Sequence, residues 1–207
     1  MIKIAKLYHG GEECNTYVIG EEGDPCIVVD PGYNKNSSLD NYIEKHHKRC
    51  LAYLITHGHY DHIGGLMSMT HQAPVFISEA DSEYLSDPEL NLSKNEDQPI
   101  VLGGLNQYEV DDEDEVKLGK YIFKVIATPF HTPGSVCYYL EDEHVLFSGD
   151  TLFHLGIGRS DLPGGSNRTI DSSLRKLAKL PISTKVYPGH GEATTIGNEL
   201  AYNEAFH

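Results

Sequence analysis

The chain has 207 residues, 39% of them hydrophobic and 23% charged, a composition that excludes a disordered chain and indicates a globular protein. Its net charge of −15 creates a field that repels polyanions, which argues against nucleic acid and anionic membranes as partners. The length suits one domain with a sizeable core, and we expect residues 1–207 to form it.

Signals for membrane targeting and for disulfide bonding are weak in this sequence. No apolar stretch approaches the ~20 residues that span a bilayer, and residues 1–14 lack the apolar core of a signal peptide, so we expect a cytoplasmic protein. The four cysteines are Cys14, Cys26, Cys50 and Cys137, and none forms a C-x-x-C pair. Reduced thiols packed as small apolar side chains are the expected state. The composition carries no signal for an oligomeric state.

Short β-rich segments alternate with helical patterns in the first half of the chain. Strands are predicted over 2–7, 15–19, 26–30, 51–56 and 74–77. Helices are predicted over 37–48, 61–71 and 79–86. Residues 87–110 are rich in proline and glycine and are predicted to be mostly loop, and the acidic run 111–115 is predicted to be a solvated turn.

The second half of the chain continues this alternation. A hairpin is predicted over 116–128, turning at Gly119–Lys120. Further strands are predicted over 135–140, 144–148 and 185–188, and helices over 168–180 and 194–204. Strands with helices distributed among them predict an α/β fold in which sheets are covered by helices on their outer faces.

The segment LITHGHYDHIGG, residues 54–65, places four potential metal ligands directly after an apolar strand. His57 and His59 are two positions apart, so on extended backbone both point the same way and can reach one ion. Asp61 and His62 follow where the chain is predicted to enter a helix, and they can serve a second ion nearby. Three histidines and an aspartate this close would be costly to bury without a ligand, so the segment predicts a metal site.

Further candidate ligands follow other predicted strands. His131 lies in ATPFHTPGS, Asp150 in VLFSGDTLF and His190 in VYPGHGEAT, each beside glycine or proline residues that allow sharp turns. Imidazole and carboxylate groups suit zinc and its neighbours among the transition metals, whereas magnesium and calcium prefer oxygen shells. Strand ends that deliver ligands to one edge of a sheet build the site on rigid elements.

The pattern H-x-H-x-D-H, followed by a spaced His, Asp and His, resembles the metallo-β-lactamase superfamily, and within it the short glyoxalase II-like hydrolases. The resemblance runs from VVDPG at 28–32 through HTPGS, FSGDTLF and GIGRSDLPGG to YPGHGEATTI. It departs at Phe130, where a glycine commonly precedes the third histidine. The resemblance implies an αββα sandwich of two mixed sheets flanked by helices.

The same resemblance implies a role for each ligand. One metal ion would be held by His57, His59 and His131. The second would be held by Asp61, His62 and His190, and Asp150 would bridge the two ions. The implied cofactors are two divalent ions per chain, with zinc as the expected metal and iron or manganese as alternatives.

Two further residues each have a functional and a structural interpretation. Asp30 ends a predicted strand, where it can orient a metal ligand or simply cap a turn. Arg159 lies in GIGRSDLPGG, where it can contact an anionic substrate or form an internal ion pair with Asp161. Both interpretations stay open at this point.

The activity implied by the resemblance is hydrolysis of a small acyl-thiol such as S-lactoylglutathione. Two ions share and acidify one water, giving a metal-bound hydroxide that attacks the carbonyl, and Asp61 orients it as the catalytic residue. The alternative is a persulfide dioxygenase of the same fold, with one iron on His57, His131 and Asp150. A β-lactamase is less favoured, because a cytoplasmic protein does not meet the usual β-lactam substrate.

Overall fold

The computed structural model describes residues 2–8, 14–32, 38–47, 49–69 and 72–207. Two six-stranded sheets form its framework. The strands of the first sheet are β1 (Ile4–Tyr8), β2 (Asn15–Ile19), β3 (Cys26–Val29), β4 (Cys50–Leu54), β5 (Val75–Ser78) and β6 (Gln107–Val110). They are arranged in chain order, with β1 to β3 antiparallel and β3 to β6 parallel.

The second sheet is also mixed. Its strands are β7 (Glu115–Leu118), β8 (Tyr121–Ala127), β9 (Val136–Leu140), β10 (Val145–Gly149), β13 (Lys185–Pro188) and β14 (Thr194–Thr195), arranged in the order β14-β13-β10-β9-β8-β7. Only β10 and β13 are parallel neighbours. A two-stranded ribbon, β11 (Leu152–Phe153) and β12 (Gly156–Ile157), follows β10.

Helices complete the structure. The α-helices are α1 (Ser38–His46), α2 (Tyr60–Ile63), α3 (Ile170–Leu177) and α4 (Ile196–Tyr202). Short 3-10 helices cover Gly64–Met67, Glu79–Leu85, Glu141–Glu143, Asn167–Thr169 and Glu204–Phe206. In the part of the chain that the structure describes, no helix is both long enough and apolar enough to cross a bilayer.

The period-two alternation along the strands creates three apolar layers. Tyr17 of β2 and Phe147 of β10 lie between the sheets in the central layer. Val18, which points the opposite way, packs in the outer layer that also contains Ile43 of α1. Leu146 lies in the third layer with Leu177 of α3. The arrangement is an αββα sandwich, as expected.

Strand direction brings the candidate ligands together. In the first sheet β3, β4 and β5 are parallel, so their carboxyl ends lie at one edge. In the second sheet β8 and β10 are both antiparallel to β9, and β13 is parallel to β10. The carboxyl ends of β8, β10 and β13 therefore also lie at one edge. Residues that follow these six strands therefore share one edge of the sandwich.

Most predicted elements are present, and the differences have simple causes. Of the helix predicted over 61–71, residues 70–71 lie outside the described residues; in the rest, α2 ends at Ile63 and passes into a 3-10 helix that ends at Met67. The helix predicted over 79–86 is a 3-10 helix. Strand β6 lies in the segment predicted to be loop, and three of its four residues are exposed, so it lacks an alternating apolar pattern. The short strands β11, β12 and β14 were also not predicted.

The cysteine prediction is confirmed. Cys14, Cys26, Cys50 and Cys137 are all buried, and none of them is in a disulfide bond. They pack as small apolar side chains, and Cys26 and Cys50 belong to the outer layer of the first sheet.

We expect Phe147→Ala to lower the free energy of unfolding by about 3–5 kcal/mol, because it leaves a cavity in the central layer. The Phe147 side chain is fully buried, with its ring centroid 5.4 Å from that of Tyr17 and 5.6 Å from that of Tyr187. Urea denaturation measures the change. Ile122→Ala is the control, since this apolar residue of the same sheet is 48% exposed and should cost little. Equal losses in the two variants would contradict the assigned core.

Candidate metal centre

The structure places all seven candidate ligands at the strand ends described above. His57 and His59 follow β4, while Asp61 and His62 lie in α2. The remaining three are His131 after β8, Asp150 after β10 and His190 after β13. Residues separated by more than a hundred positions in the chain are therefore neighbours at one edge of the sandwich.

The ligand atoms form three overlapping groups, each with its atoms within 4.8 Å of one another. The groups are His57, His59 and His131; His57, His62 and Asp150; and Asp61, His62 and His190. The first and third correspond to the two ligand sets implied by the family resemblance. The second group connects them, because it shares a residue with each.

Asp150 lies between the two ligand sets. Its Oδ2 atom is 3.5 Å from His131 Nε2 and 3.6 Å from His190 Nε2, while its Oδ1 atom is 3.4 Å from His62 Nε2. On the other side of the cluster, Asp61 Oδ2 is 3.1 Å from His190 Nε2. One carboxylate thus faces members of both sets, which is the geometry that a shared ligand requires.

Several atoms of the cluster have no hydrogen-bond partner although they are buried. These atoms are Nε2 of His57, His59 and His62 and Oδ1 of Asp150. Buried polar atoms are almost always paired, because leaving one unpaired costs free energy. The unpaired atoms belong to residues that the structure groups within ligand distance of one another, so a divalent cation is a partner that fits them.

Hydrogen bonds behind the cluster orient the imidazoles. His62 Nδ1 donates to Asp30 Oδ2 at 2.9 Å, and Asp30 also accepts from the backbone N–H and the hydroxyl of Thr56. His131 Nδ1 donates to the carbonyl oxygen of Arg159 at 2.7 Å. Each bond uses the Nδ1 proton, so in the neutral ring Nε2 keeps its lone pair and can offer it to a metal ion. Asp30 therefore contacts a candidate ligand rather than only capping a turn.

The side chain of Arg159 lies outside the cluster. Its guanidinium forms a bidentate pair with Asp161, with both N···O distances 2.7 Å, and the two side chains are 62% and 67% exposed. The backbone at this point is tightly packed, because a Cβ on Gly158 would collide with the carbonyl of Asp150. The segment GIGRSD thus contacts the cluster through its main chain, whereas the Arg159 side chain forms the expected ion pair with Asp161.

Burial and charge set the protonation of the cluster. Burial lowers the pKa of His57 well below its ordinary value and lowers that of His59 to about 3, so both imidazoles are neutral at pH 7. Burial opposes a charge on His62 as well, but nearby carboxylates, Asp61 foremost, outweigh it and raise the pKa. Burial also disfavours the charged form of Asp150, but His62 holds its pKa far below the usual range.

The cluster is open on one side. The side chains of Asp61, Asp150 and His190 remain 16%, 11% and 32% exposed, whereas the other ligands are buried. The half-buried ring of Phe153 lies at this opening, with its centroid 6.1 Å from the His190 ring. Phe130, the departure from the family pattern, is buried inside the protein.

Two supporting residues were not predicted from the sequence. Asn15 donates from its side chain to the carbonyls of Pro188 and Gly191, and from its backbone N–H to Gly189, so it brackets the His190 turn. Asp81 is fully buried and contacts the turns that carry other ligands. A signal existed for Asp81, because it closely follows β5 at the edge where the other carboxylates lie.

Comparison with known proteins agrees with this fold and this cluster. The family model of the metallo-β-lactamase superfamily matches residues 9–190. The chain belongs to this superfamily, and it is a metallohydrolase of that class whose clustered histidine and aspartate residues could hold a divalent metal ion.

Two relatives illustrate the similarity in sequence. The probable metallo-hydrolase YqgX of Bacillus subtilis is 34% identical, over 98% of this chain and 96% of that protein. The hydroxyacylglutathione hydrolase GloC of Haemophilus influenzae is 32% identical, over 91% of each chain.

Solved structures give the same picture. The B3 metallo-β-lactamase BLEG-1 superposes with a TM-score of 0.88 and 36% identity, covering 100% of this chain and 99% of that one. TTHA1623 in a di-iron-bound form superposes with a TM-score of 0.78 and 30% identity, with 98% of each chain covered. ETHE1 from Myxococcus xanthus superposes with a TM-score of 0.74 and 28% identity, covering 98% of this chain and 83% of that one.

Proposed function

We propose that the chain is a binuclear metallohydrolase that cleaves small acyl-thioesters, with S-lactoylglutathione as the representative substrate. The observation that carries the proposal is the convergence of seven candidate ligand side chains, four of which have a buried polar atom without a hydrogen-bond partner. Similarity to a hydroxyacylglutathione hydrolase, over nearly the whole length of both chains, supports the choice of a thioester.

The proposed ligand sets follow the groups in the structure. His57, His59 and His131 hold one ion, Asp61, His62 and His190 hold the other, and Asp150 is shared. Zinc is the proposed metal, with iron or manganese as replacements, because imidazole and carboxylate discriminate weakly among these ions. The di-iron-bound form of TTHA1623 supports iron as an acceptable occupant of such a site.

The reaction divides between the metals and the side chains around them. Bound divalent ions supply Lewis acidity, which lowers the pKa of water and stabilises negative charge on a carbonyl oxygen. Asp61 lies on the open side, where its carboxylate can accept a hydrogen bond from the attacking water and orient it. A thiolate is a good leaving group, so the site needs no strong general acid.

The open side sets where the substrate binds. A small acyl group can enter beside Asp61, Asp150 and His190, and the ring of Phe153 gives this entrance one apolar wall. The net charge of −15 disfavours a polyanion, so a small molecule is the proposed partner rather than nucleic acid or a membrane.

A mono-iron persulfide dioxygenase is the second candidate. It would use His57, His131 and Asp150, and the observation that favours it is the GIGRSD segment, whose Arg159 carbonyl holds the His131 ring. The hydrolase is preferred because Asp61, His62 and His190 form a complete second group, which a mononuclear enzyme does not require.

We expect about two divalent ions per chain in the purified protein, and loss of at least one in Asp150→Ala, because that carboxylate faces both ligand sets. Loss of a residue that only supports a metal ligand typically lowers activity by about 10- to 100-fold, and the hydrolysis rate of Asp150→Ala should fall by more than this. Metal analysis of protein purified without added metal measures the stoichiometry. Asp142→Ala, at an exposed carboxylate between β9 and β10, should keep both ions. Two ions in Asp150→Ala would refute the shared ligand.

The substrate role of Arg159 is tested by comparing two substrates. If its guanidinium contacts a substrate carboxylate, Arg159→Ala should raise KM for a glutathione thioester much more than KM for a small neutral thioester. Arg175→Ala is the matched control, because Arg175 is also exposed and lies 3.8 Å from Asp171. Equal kinetic losses on both substrates, together with a lower melting temperature, would assign Arg159 a structural role only.

The two candidate activities differ in the metal that they require and in whether they consume O₂. Zinc has no accessible redox change, so the zinc-loaded protein should hydrolyse S-lactoylglutathione under strict anaerobiosis. The iron-loaded protein should consume little O₂ with glutathione persulfide. Both assays use one preparation, split and reloaded with a single metal each.

Rapid O₂ uptake by the iron form, without thioester cleavage by the zinc form, would establish the dioxygenase instead. A β-lactam belongs in the same series, because BLEG-1 is a B3 metallo-β-lactamase and shares 36% identity with this chain. Cleavage of the β-lactam in preference to every thioester would overturn the proposed substrate class.

A further inference from the structure

A buried carboxylate joins the two turns that carry three of the histidines. Asp81 is fully buried in the 3-10 helix Glu79–Leu85, directly after β5. Its Oδ2 atom accepts from the backbone N–H of Gly58 at 2.9 Å and from Thr132 Oγ1 at 2.7 Å. Its Oδ1 atom accepts from the backbone N–H of Gly134 at 2.7 Å.

The positions of these donors relate Asp81 to the metal centre. Gly58 lies between His57 and His59, while Thr132 follows His131 directly and Gly134 lies two positions further on. One side chain thus bonds to the main chain between two candidate ligands and to the turn that begins at the third. The partners are distant in sequence, since 51 residues separate Asp81 from Thr132.

Close packing leaves the two turns little room to move. A Cβ on Gly134 would lie 2.6 Å from the Asp81 carboxylate carbon. A Cβ on Gly58 would collide with the Cβ of Tyr84, which belongs to the same 3-10 helix. Both turns therefore rest directly against Glu79–Leu85, and the absence of side chains at the two glycines allows this contact.

We propose that Asp81 is a positioning residue that holds the His57–His59 turn and the His131 turn in register, so that three imidazoles converge on one ion. The inference rests on the metal assignment of the proposed function. Hydrogen bonds to an ionised acceptor are stronger than neutral ones, and three of them reduce the cost of burying the carboxylate. Removing the carboxylate takes the acceptor from the N–H groups of Gly58 and Gly134 and breaks the link between the two turns.

The other ligand set is held by different contacts, which makes the effect selective. His62 is oriented by Asp30, and the turn carrying His190 is bracketed by Asn15. Neither contact involves Asp81. Loss of Asp81 should therefore weaken the site of His57, His59 and His131 more than the site of Asp61, His62 and His190.

The test measures the affinity of each site in Asp81→Ala and Asp81→Asn. We expect Asp81→Ala to weaken one of two sites by about 10- to 100-fold in chelator competition, and to change the visible spectrum of the cobalt-loaded protein. Asp81→Asn should give a smaller loss, because its amide oxygen keeps part of the acceptor function. Thr132→Val removes one of the three bonds and should weaken the same site. It replaces Asp81→Ala in the test if that variant does not fold.

Glu199→Gln is the matched control. Glu199 is also a fully buried carboxylate with several donors, among them Leu155 N, Thr194 Oγ1 and Asn203 Nδ2, but it anchors α4 instead of a histidine turn. We expect this variant to lower the melting temperature while keeping wild-type affinity at the site of His57, His59 and His131.

The possible results distinguish this inference from the proposed function. Wild-type protein that binds no metal would refute the metal assignment itself. Two ions in wild type, with unchanged affinities in the Asp81 and Thr132 variants, would overturn the positioning role alone. Parallel loss of metal and stability in both the Asp81 and the Glu199 variants would also overturn it, because a general stability effect would then suffice.

Discussion

Imidazole and carboxylate groups crowded together inside the protein are the constraint on which the rest of this structure depends. His59 Nδ1 lies 2.9 Å from His131 Nε2, and the Nε2 atoms of His57 and His62 are buried without partners. Such an arrangement is costly in a protein interior unless a cation occupies it. The ligands must therefore be held together by the surrounding structure, and the two sheets supply that rigidity.

The sandwich fold meets this requirement by bringing parallel strand ends to one edge. Neutral imidazoles at His57 and His59 lie deepest, where burial lowers the pKa of both. Carboxylates at Asp61 and Asp150 lie nearer the opening, and they raise the pKa of His62 between them. The charge gradient runs from buried neutral nitrogen to partly exposed negative oxygen, which favours the approach of a cation from the open side.

Support from behind the ligands comes largely from the main chain. The Arg159 carbonyl orients His131, and Asn15 binds the carbonyls on both sides of His190. Asp81 accepts hydrogen bonds from the N–H groups of Gly58 and Gly134. This explains why the ligand motifs contain glycine: at Gly58, as at Gly134, a side chain would occupy the space that the supporting element fills. Precise ligand placement thus depends on close backbone contact.

The sequence by itself identified the candidate ligand residues and the layered architecture. The spacing of His57, His59, Asp61 and His62 predicts a metal site because few other uses of such residues are favourable. The alternation within strands such as β2 and β10 predicts which side chains enter the core, because its period equals that of the strand. Strand β6 escaped prediction because its exposed residues do not alternate.

Only the tertiary structure decided which groups hold the ligands. His131 and the Arg159 carbonyl are 28 residues apart, and any residue at that position offers the same carbonyl, so no side-chain pattern indicates the bond. The fold likewise turned the Arg159 side chain toward Asp161 and placed Asp81 between two distant turns. Sequence spacing specifies local direction, whereas contacts between remote segments follow from how the two sheets pack, which a single sequence does not display.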